Sequence, residues 1–407
     1  METDPKIVTF DHEPAVRWPV FDRDAEEAVL QILRDGNVST HPVIRELERD
    51  YAAFTGRRHA LAHNNGTSAL LAAFHALDLQ PGDEILVPSA TFWASVLTMV
   101  WCGLVPLFCE SEPDTLGIDP EDMRRKITPR TKAVVIVHLW GLPCRVAEIG
   151  SVCQEFNLRI IEDASHAHGA VYHGKPCGAL GDLSVFSLQG DKLAPAGEGG
   201  IFLTDNAEYW ERAAGLGDIT RIIELRTPAA RFAATSMGMK TRIAPLSAAL
   251  GRVSLRKLPE FIRVRNENHR WLSERLERLG FDCFLAPAGI ERVYFEFLIR
   301  HRDPAFDIGR FMEILQAVGC RFRAPRYPLL HQQPFFRENH ITAVGRYPAG
   351  VQLPDYAHLT LPNTERENRR MMKLPNFCHP DGGLLEQYRA AFEHAVARFP
   401  IVENRNP

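Results

Sequence analysis

Between residues 59 and 204 the chain alternates short β-branched and aliphatic runs with segments whose apolar positions recur at helical spacing. Seven runs read as strands: HALAH (59–63), EILVP (84–88), VPLFC (105–109), AVVIVHL (133–139), RIIED (159–163), LSVFSL (183–188) and GIFLT (200–204). TSALLAAFHALDL follows the first and stops at Pro81-Gly82, a helix terminator. RVAEIGSVCQEFN precedes the fifth and sets Val146, Ile149, Val152 and Phe156 on one stripe. Upstream, PVIRELERDYAAF places Val43, Leu47, Tyr51 and Phe54 on one helical face. The alternation predicts an α/β fold: a mainly parallel sheet of about seven strands with helices on both faces. In such sheets ligands collect at the carboxyl ends of the strands.

After Leu246 the texture changes. A helical stretch runs to about Leu279, with Pro259 placed to break it or to start its second half. VYFEFLIR, the helix DIGRFMEILQAVG, the strand-like CRFRAPRY and the helix LLEQYRAAFEHAVARF follow, which suits a smaller α+β domain. The expected division is 1–250 for an N-terminal arm and large α/β domain, and 251–407 for the connecting helix and small C-terminal domain. Ile85 to Cys109 carries no charged side chain, yet Pro88, Gly103 and Pro106 punctuate it. It reads as a buried strand, helix and strand, not as a membrane span.

A chain of 407 residues with 45% hydrophobic and 24% charged positions has ample material for a packed core. Its formal charge of -4 offers no bulk attraction for nucleic acid or membrane. The eight cysteines form no C-x-x-C pair, so neither a zinc site nor a disulfide framework is expected. METDPKIVTFDHEP lacks the apolar stretch of a secretory signal, and a cytoplasmic protein with reduced thiols is the expectation.

The chemistry sits at strand ends. Asn64-Asn65-Gly66-Thr67-Ser68 follows the first strand and opens a helix, where backbone N–H groups and two hydroxyls can cradle an anion. Taken alone it is as readily a plain N-cap. Asp163 closes RIIED, where a buried carboxylate needs a cationic partner. His166 and His168 have H-x-H spacing, but without acidic or cysteine ligands patterned nearby metal binding is not expected. Among only eight lysines, Lys192 stands in a loop after the strand that ends near Ser187, ahead of Gly197, Gly199 and Gly200. A lysine desolvated there becomes a nucleophilic amine. An anion cradle, a buried carboxylate and a buried amine together match pyridoxal phosphate (PLP), with Phe92 offering a flat face to its ring.

NNGTSALLAAFHAL, PGDEILVPSATFWAS, ITPRTKAVVIVHLWG, RIIEDASHAHGAVYHGK and FSLQGDKLAPAGEGG resemble the PLP-dependent keto-sugar aminotransferases of the DegT/StrS type. The resemblance runs from about Gly36 to LPNTERENRRMMKLP. It implies the aspartate-aminotransferase-like fold (fold type I) and a homodimer with shared active sites. By position it makes Lys192 the Schiff-base lysine and Asp163 the partner of the ring nitrogen. Gly66, Thr67, Ser68 and Ser187 would hold the phosphate, and Phe92 would stack on the ring. His166 replaces a usual glutamine and Gln189 a frequent histidine, as in the aminohydroxybenzoate branch that the lysine loop resembles. Lys240 in MGMKTRIAPLSAA replaces an asparagine that reaches the neighbouring subunit's phosphate.

The implied reaction moves an amino group from glutamate or glutamine to a keto-sugar, nucleotide keto-sugar or keto-cyclitol, with the cofactor alternating between PLP and pyridoxamine phosphate. Trp93, Arg242, Tyr327 and His331 are candidates for the acceptor side, with Tyr327 and His331 lining the mouth of the site. Two alternatives stand beside this reading: a PLP-dependent sugar dehydratase, and a catalytically silent sensor with the same fold. A nicotinamide dehydrogenase lacks its glycine fingerprint here.

Overall fold

A computed structural model describes residues 5–10, 13–225, 227–380 and 383–399. The outer ends of the two expected domains, 1–4 and 400–407, lie outside the described residues, as does part of METDPKIVTFDHEP.

Thirteen strands are present among the described residues: β1 His59–His63, β2 Glu84–Pro88, β3 Val105–Cys109, β4 Thr131–Val137, β5 Arg159–Asp163, β6 Val171–Tyr172, β7 Lys175–Pro176, β8 Leu183–Ser187, β9 Gly200–Thr204, β10 Phe281–Asp282, β11 Ile290–Glu291, β12 Phe297–His301 and β13 Met371–Leu374. The main sheet has seven strands in the order β1-β9-β8-β5-β4-β2-β3. β9 alone runs against its neighbours β1 and β8, while β8, β5, β4, β2 and β3 are mutually parallel. Side chains alternate between the sheet's two faces. Ile85, Val87, Val135 and Val137 enter the largest core, and Leu86, Val134 and Ile136 enter a second one on the other side. Burial on both faces explains why Ile85 to Cys109 carries no charge. It forms β2, the helix Ala94–Trp101 and β3.

The registers align the active edge. Val137 pairs with Asp163, Asp163 with Val185, Ser187 with Gly200, and Gly200 with His63. The carboxyl ends of β1, β4, β5 and β8 and the start of β9 therefore meet along one border.

Helix α1 (Arg23–Asp35) was not foreseen from the sequence, and α2 (Val43–Thr55) was. In α2, Val43, Leu47 and Tyr51 are buried and Phe54 packs partly against them. Helix Val146–Phe156 buries Val146, Ile149 and Val152, but Phe156 is exposed at its end beneath the Arg124 guanidinium.

Pro259 does not interrupt the connecting helix, which runs unbroken from Pro245 to Arg278. Buried Leu255 and Leu258 before it, and Leu272 and Leu276 after it, keep one apolar face docked, so packing outweighs the single lost backbone bond. CRFRAPRY is not a strand; it contributes one isolated bridge, Arg323 to Lys373. The strand in that place is β13, which joins β10 and β12 in a three-stranded sheet.

A further core combines Phe281, Phe297, Phe311, Phe377 and Tyr388 with Val8 and Ala15 from the N-terminal segment. Tyr327, Leu330, Phe336, Tyr356 and Leu361, conversely, return to the large core. The two cores thus draw on chain from both sides of residue 250.

Candidate active site

Helix α3 (Gly66–Ala76) starts directly behind β1. Asn65 is its N-cap: its side chain accepts from the Ser68 N–H at 2.8 Å. The first turn leaves the Gly66 and Thr67 N–H groups without intrahelical acceptors, at the positive end of the helix dipole. Two glycines make the close approach possible. A Cβ on Gly66 would lie 2.8 Å from Ser187 Cβ, and one on Gly200 would lie 2.3 Å from the Asn65 carbonyl oxygen.

This turn opens into a cavity of about 670 Å³. Gly66, Thr67, Phe92, Trp93, Asp163, His166, Ser187, Gln189, Lys192 and Tyr327 all line it. Residues from four separate strand ends and from the segment after β12 are thereby brought together. Ser68, Lys240, Arg242 and His331 are not among the lining residues. Ser68 instead supplies the capped N–H. Lys240 is exposed, and Arg242 donates to Ser39 Oγ at 3.0 Å.

His331 must be reassigned from the mouth of the site to the protein interior. It is fully buried, bonded to Ser89 Oγ at 2.7 Å and to Glu365 at 3.1 Å. Its sequence neighbours Pro328 and Leu330 line the cavity, but the short 3-10 turn Leu330–Gln332 swings the imidazole inward.

Asp163 is 5% exposed. One carboxylate oxygen accepts from Ser95 Oγ at 2.7 Å and the other from the Ser165 N–H at 3.1 Å. Ser95 lies on α4 (Ala94–Trp101), just behind Phe92 and Trp93, and orients the carboxylate. Lys192 is 8% exposed. Burial lowers its pKa to about 8, against the opposing pull of Asp163, and the Arg326 guanidinium lowers it further. Its ammonium lies 4.3 Å from the centroid of the Phe295 ring. Arg326 lines the cavity, pairing with Asp191 at 3.1 Å and with Glu296 at 2.5 Å.

His166 sits in an aromatic stack with Phe295, Trp140 and Tyr327. Burial, with Lys192 and Arg326 nearby, holds its pKa well below the usual histidine value, so it is neutral. Its Nδ1 accepts from the Trp140 N–H at 3.4 Å, which leaves the proton on Nε2 facing the Tyr327 hydroxyl at 3.1 Å. His168 faces away from the site, packed on Phe186 and Tyr51.

Among the described residues one cluster has metal-ligand composition: His138, Glu162 and Cys177. The Glu162 carboxylate is already engaged by His138 Nε2 at 2.9 Å and by the N–H groups of Leu180 at 2.8 Å and Gly181 at 3.2 Å. It ties the turn before β8 to β5.

Sequence reasoning missed Ser95, Phe295, Arg326 and Trp140. Ser95 and Trp140 lie within PGDEILVPSATFWAS and ITPRTKAVVIVHLWG but were given no role there, and Phe295 and Arg326 reach the site only through tertiary packing. A buried Asp at a strand end requires a donor, the one signal that pointed toward Ser95.

A family model described as the DegT/DnrJ/EryC1/StrS aminotransferase family matches residues 19–379. The chain belongs to this family. GDP-perosamine synthase of Caulobacter vibrioides (strain ATCC 19089 / CIP 103742 / CB 15) is 35% identical over 269 residues, 65% of this chain and 71% of that protein. The crystal structure of 3-amino-5-hydroxybenzoic acid synthase matches with a TM-score of 0.80 at 27% identity, covering 94% of this chain and 98% of that one. DesI, solved in the presence of its TDP-sugar product, matches with a TM-score of 0.77 at 29% identity, covering 97% and 94%. The fold is therefore PLP fold type I, and the protein is an aminotransferase of a PLP-dependent family. The residues here fit that cofactor: an anion cradle, a seated carboxylate and a desolvated amine face one cavity. No described helix is long and apolar enough to cross a membrane.

Proposed function

We propose that this aminotransferase moves nitrogen from glutamate or glutamine to a keto-sugar, nucleotide keto-sugar or keto-cyclitol, in natural-product or surface-polysaccharide biosynthesis. The observation that carries the reading is the shared cavity of Lys192 and Asp163, with burial lowering the amine's pKa to about 8. The similarity to GDP-perosamine synthase and to DesI with its TDP-sugar product supports a nucleotide-linked sugar as acceptor.

When bound, PLP supplies the electron sink and carries the nitrogen between the two substrates. The roles of the chain's own residues follow from their placement. Gly66 and Thr67 N–H groups and Ser187 hold the phosphate, with Ser68 fixing the turn behind them. Asp163, oriented by Ser95, keeps the ring nitrogen protonated. Phe92 covers the ring, and His166 and Gln189 border it. Lys192 Nζ would take the proton from the donor's α-carbon as base and hold it for return as acid. Trp93 and Tyr327, at the rim and wall of the cavity, orient the acceptor.

In the proposed cytoplasmic homodimer, exposed Lys240 would reach the neighbouring subunit's phosphate, and Arg242 stays a candidate for the acceptor side. The retained Lys192 amine supports amino transfer over the dehydratase alternative. The test loads the protein as its pyridoxamine form and offers keto-sugars and keto-cyclitols separately. Return of the aldehyde-form absorbance with one class identifies the acceptor, and no return with any acceptor rejects the reading.

A further inference from the structure

The loop bearing Lys192 is held by several bonds, among them the Ala196 N–H to the Leu188 carbonyl at 2.8 Å and Arg326 to Asp191 at 3.1 Å. The Lys192 N–H donates to the Gln189 carbonyl at 2.8 Å, and Ser254 Oγ donates to the Pro195 carbonyl at 2.6 Å. The Lys192 carbonyl itself accepts from the Trp18 indole N–H at 3.1 Å, a contact between residues 174 positions apart. Trp18 is in turn firmly seated. Phe261 meets its ring edge-on at 5.1 Å, and the buried Arg265 guanidinium lies 4.6 Å from its ring. Arg265 is anchored to the Tyr294 carbonyl at 3.0 Å. The preceding backbone is pinned to the small domain, since the Ala15 carbonyl accepts from the Cys378 N–H at 2.8 Å and the His379 N–H at 3.1 Å.

We infer that Trp18 is a positioning residue for Lys192, and that through it the N-terminal segment transmits the small domain's docking to the lysine loop. This rests on the reading of Lys192 as the amine that captures the cofactor. A partly buried carbonyl must be bonded or hydrated. With the indole donor gone, the Lys192 carbonyl draws water toward the amine, the loop relaxes, and the burial that lowers the amine's pKa weakens.

The test compares cofactor-free wild type, Trp18→Phe and Phe261→Leu. The last removes packing around Trp18 but leaves its N–H. Lys192 is labelled with methyl acetimidate across a pH series and quantified by peptide mass spectrometry, and the capture rate of added PLP is followed by absorbance. Wild type is expected to show a midpoint near 8. Trp18→Phe is expected to raise it by about one unit, roughly a tenfold loss of free amine at neutral pH, with capture about tenfold slower. Phe261→Leu keeps the wild-type midpoint. Trp18→His, which retains a ring N–H, recovers part of the capture rate. The inference is overturned if Trp18→Phe matches wild type in both readouts, or if Phe261→Leu shifts the midpoint equally. If wild-type Lys192 forms no borohydride-trapped adduct with PLP, the underlying reading fails instead, and the midpoint comparison still decides the role of Trp18.

Discussion

The Lys192 ammonium rests over the Phe295 ring, 4.3 Å from its centroid, and the same ring stacks on the His166 imidazole at 4.2 Å and 16°. The amine thus has an aromatic seat contributed by the segment just before β12. Such a seat favours the charged form by about 0.5–2 kcal/mol when desolvated. Phe295→Leu is therefore expected to lower the labelling midpoint of Lys192 by about half a unit or more. Peptide-level labelling against pH measures it directly.

Lys192 also makes the cofactor-free chain's stability depend on pH. Its pKa is lowered from 10.5 to about 8 in the folded state. Between those values the unfolded chain binds the proton that the folded chain has released, so stability rises with pH across that window. Below pH 8 both states are protonated and the burial cost is present in full. The gain toward pH 10.5 is on the order of 3 kcal/mol. Subtracting the pH dependence of Lys192→Met unfolding from that of wild type isolates it, and a flat difference contradicts the assignment.

Asp163→Asn keeps an acceptor for Ser95 and close to the native volume, so the fold is expected to persist. The half-reaction with glutamate should slow by about 100-fold or more, because no anion then holds the ring nitrogen's proton. Single-turnover absorbance provides the rate, and a melting temperature close to wild type shows that chemistry and not folding has failed.

Gly200→Ala tests the cradle. The new methyl would sit 2.3 Å from the Asn65 carbonyl oxygen, so the turn before α3 must move. Overpacking of this kind costs about 1–3 kcal/mol. PLP affinity is expected to fall at least roughly tenfold, read by equilibrium titration, while free phosphate in excess no longer competes as it does in wild type.

Glu162→Gln addresses the buried pair with His138. Burial pushes the Glu162 pKa up, but His138 and the N–H groups of Gly178 and Leu180 more than offset this, and the carboxyl stays below its usual range. Breaking the pair is expected to cost about 3–5 kcal/mol in a denaturant titration. Turnover per folded molecule should survive, since the pair braces the turn ahead of β8 and does not line the cavity.

The sheet and the cradle were legible in the sequence because their signals are local. A strand buried on both faces writes an uninterrupted apolar run, and a ligand-binding strand end writes small and polar residues after it. Where the signal is not local, reading failed. β13 follows the charge-rich NTERENRR helix and has only four residues, too short to show alternation, so CRFRAPRY seemed the better strand. His331 was placed at the mouth because Tyr327 lies four residues away, yet one 3-10 turn reversed its direction. Ser95 ends PGDEILVPSATFWAS with no mark of its role until the fold sets it on the Asp163 carboxylate, and Phe295 and Arg326 carry no pattern, so only the closed structure brings them near Lys192.

Val8 and Ala15 lie in the same apolar cluster as Phe377, Tyr388 and Phe392. On the ribosome, then, the segment around Val8 and Ala15 emerges well before Leu384–Arg398 and waits for that helix before it finds its permanent neighbours. Fusions or proteolytic trimming near residue 15 should consequently loosen a body whose remaining sequence lies more than two hundred residues downstream, leaving the main sheet intact.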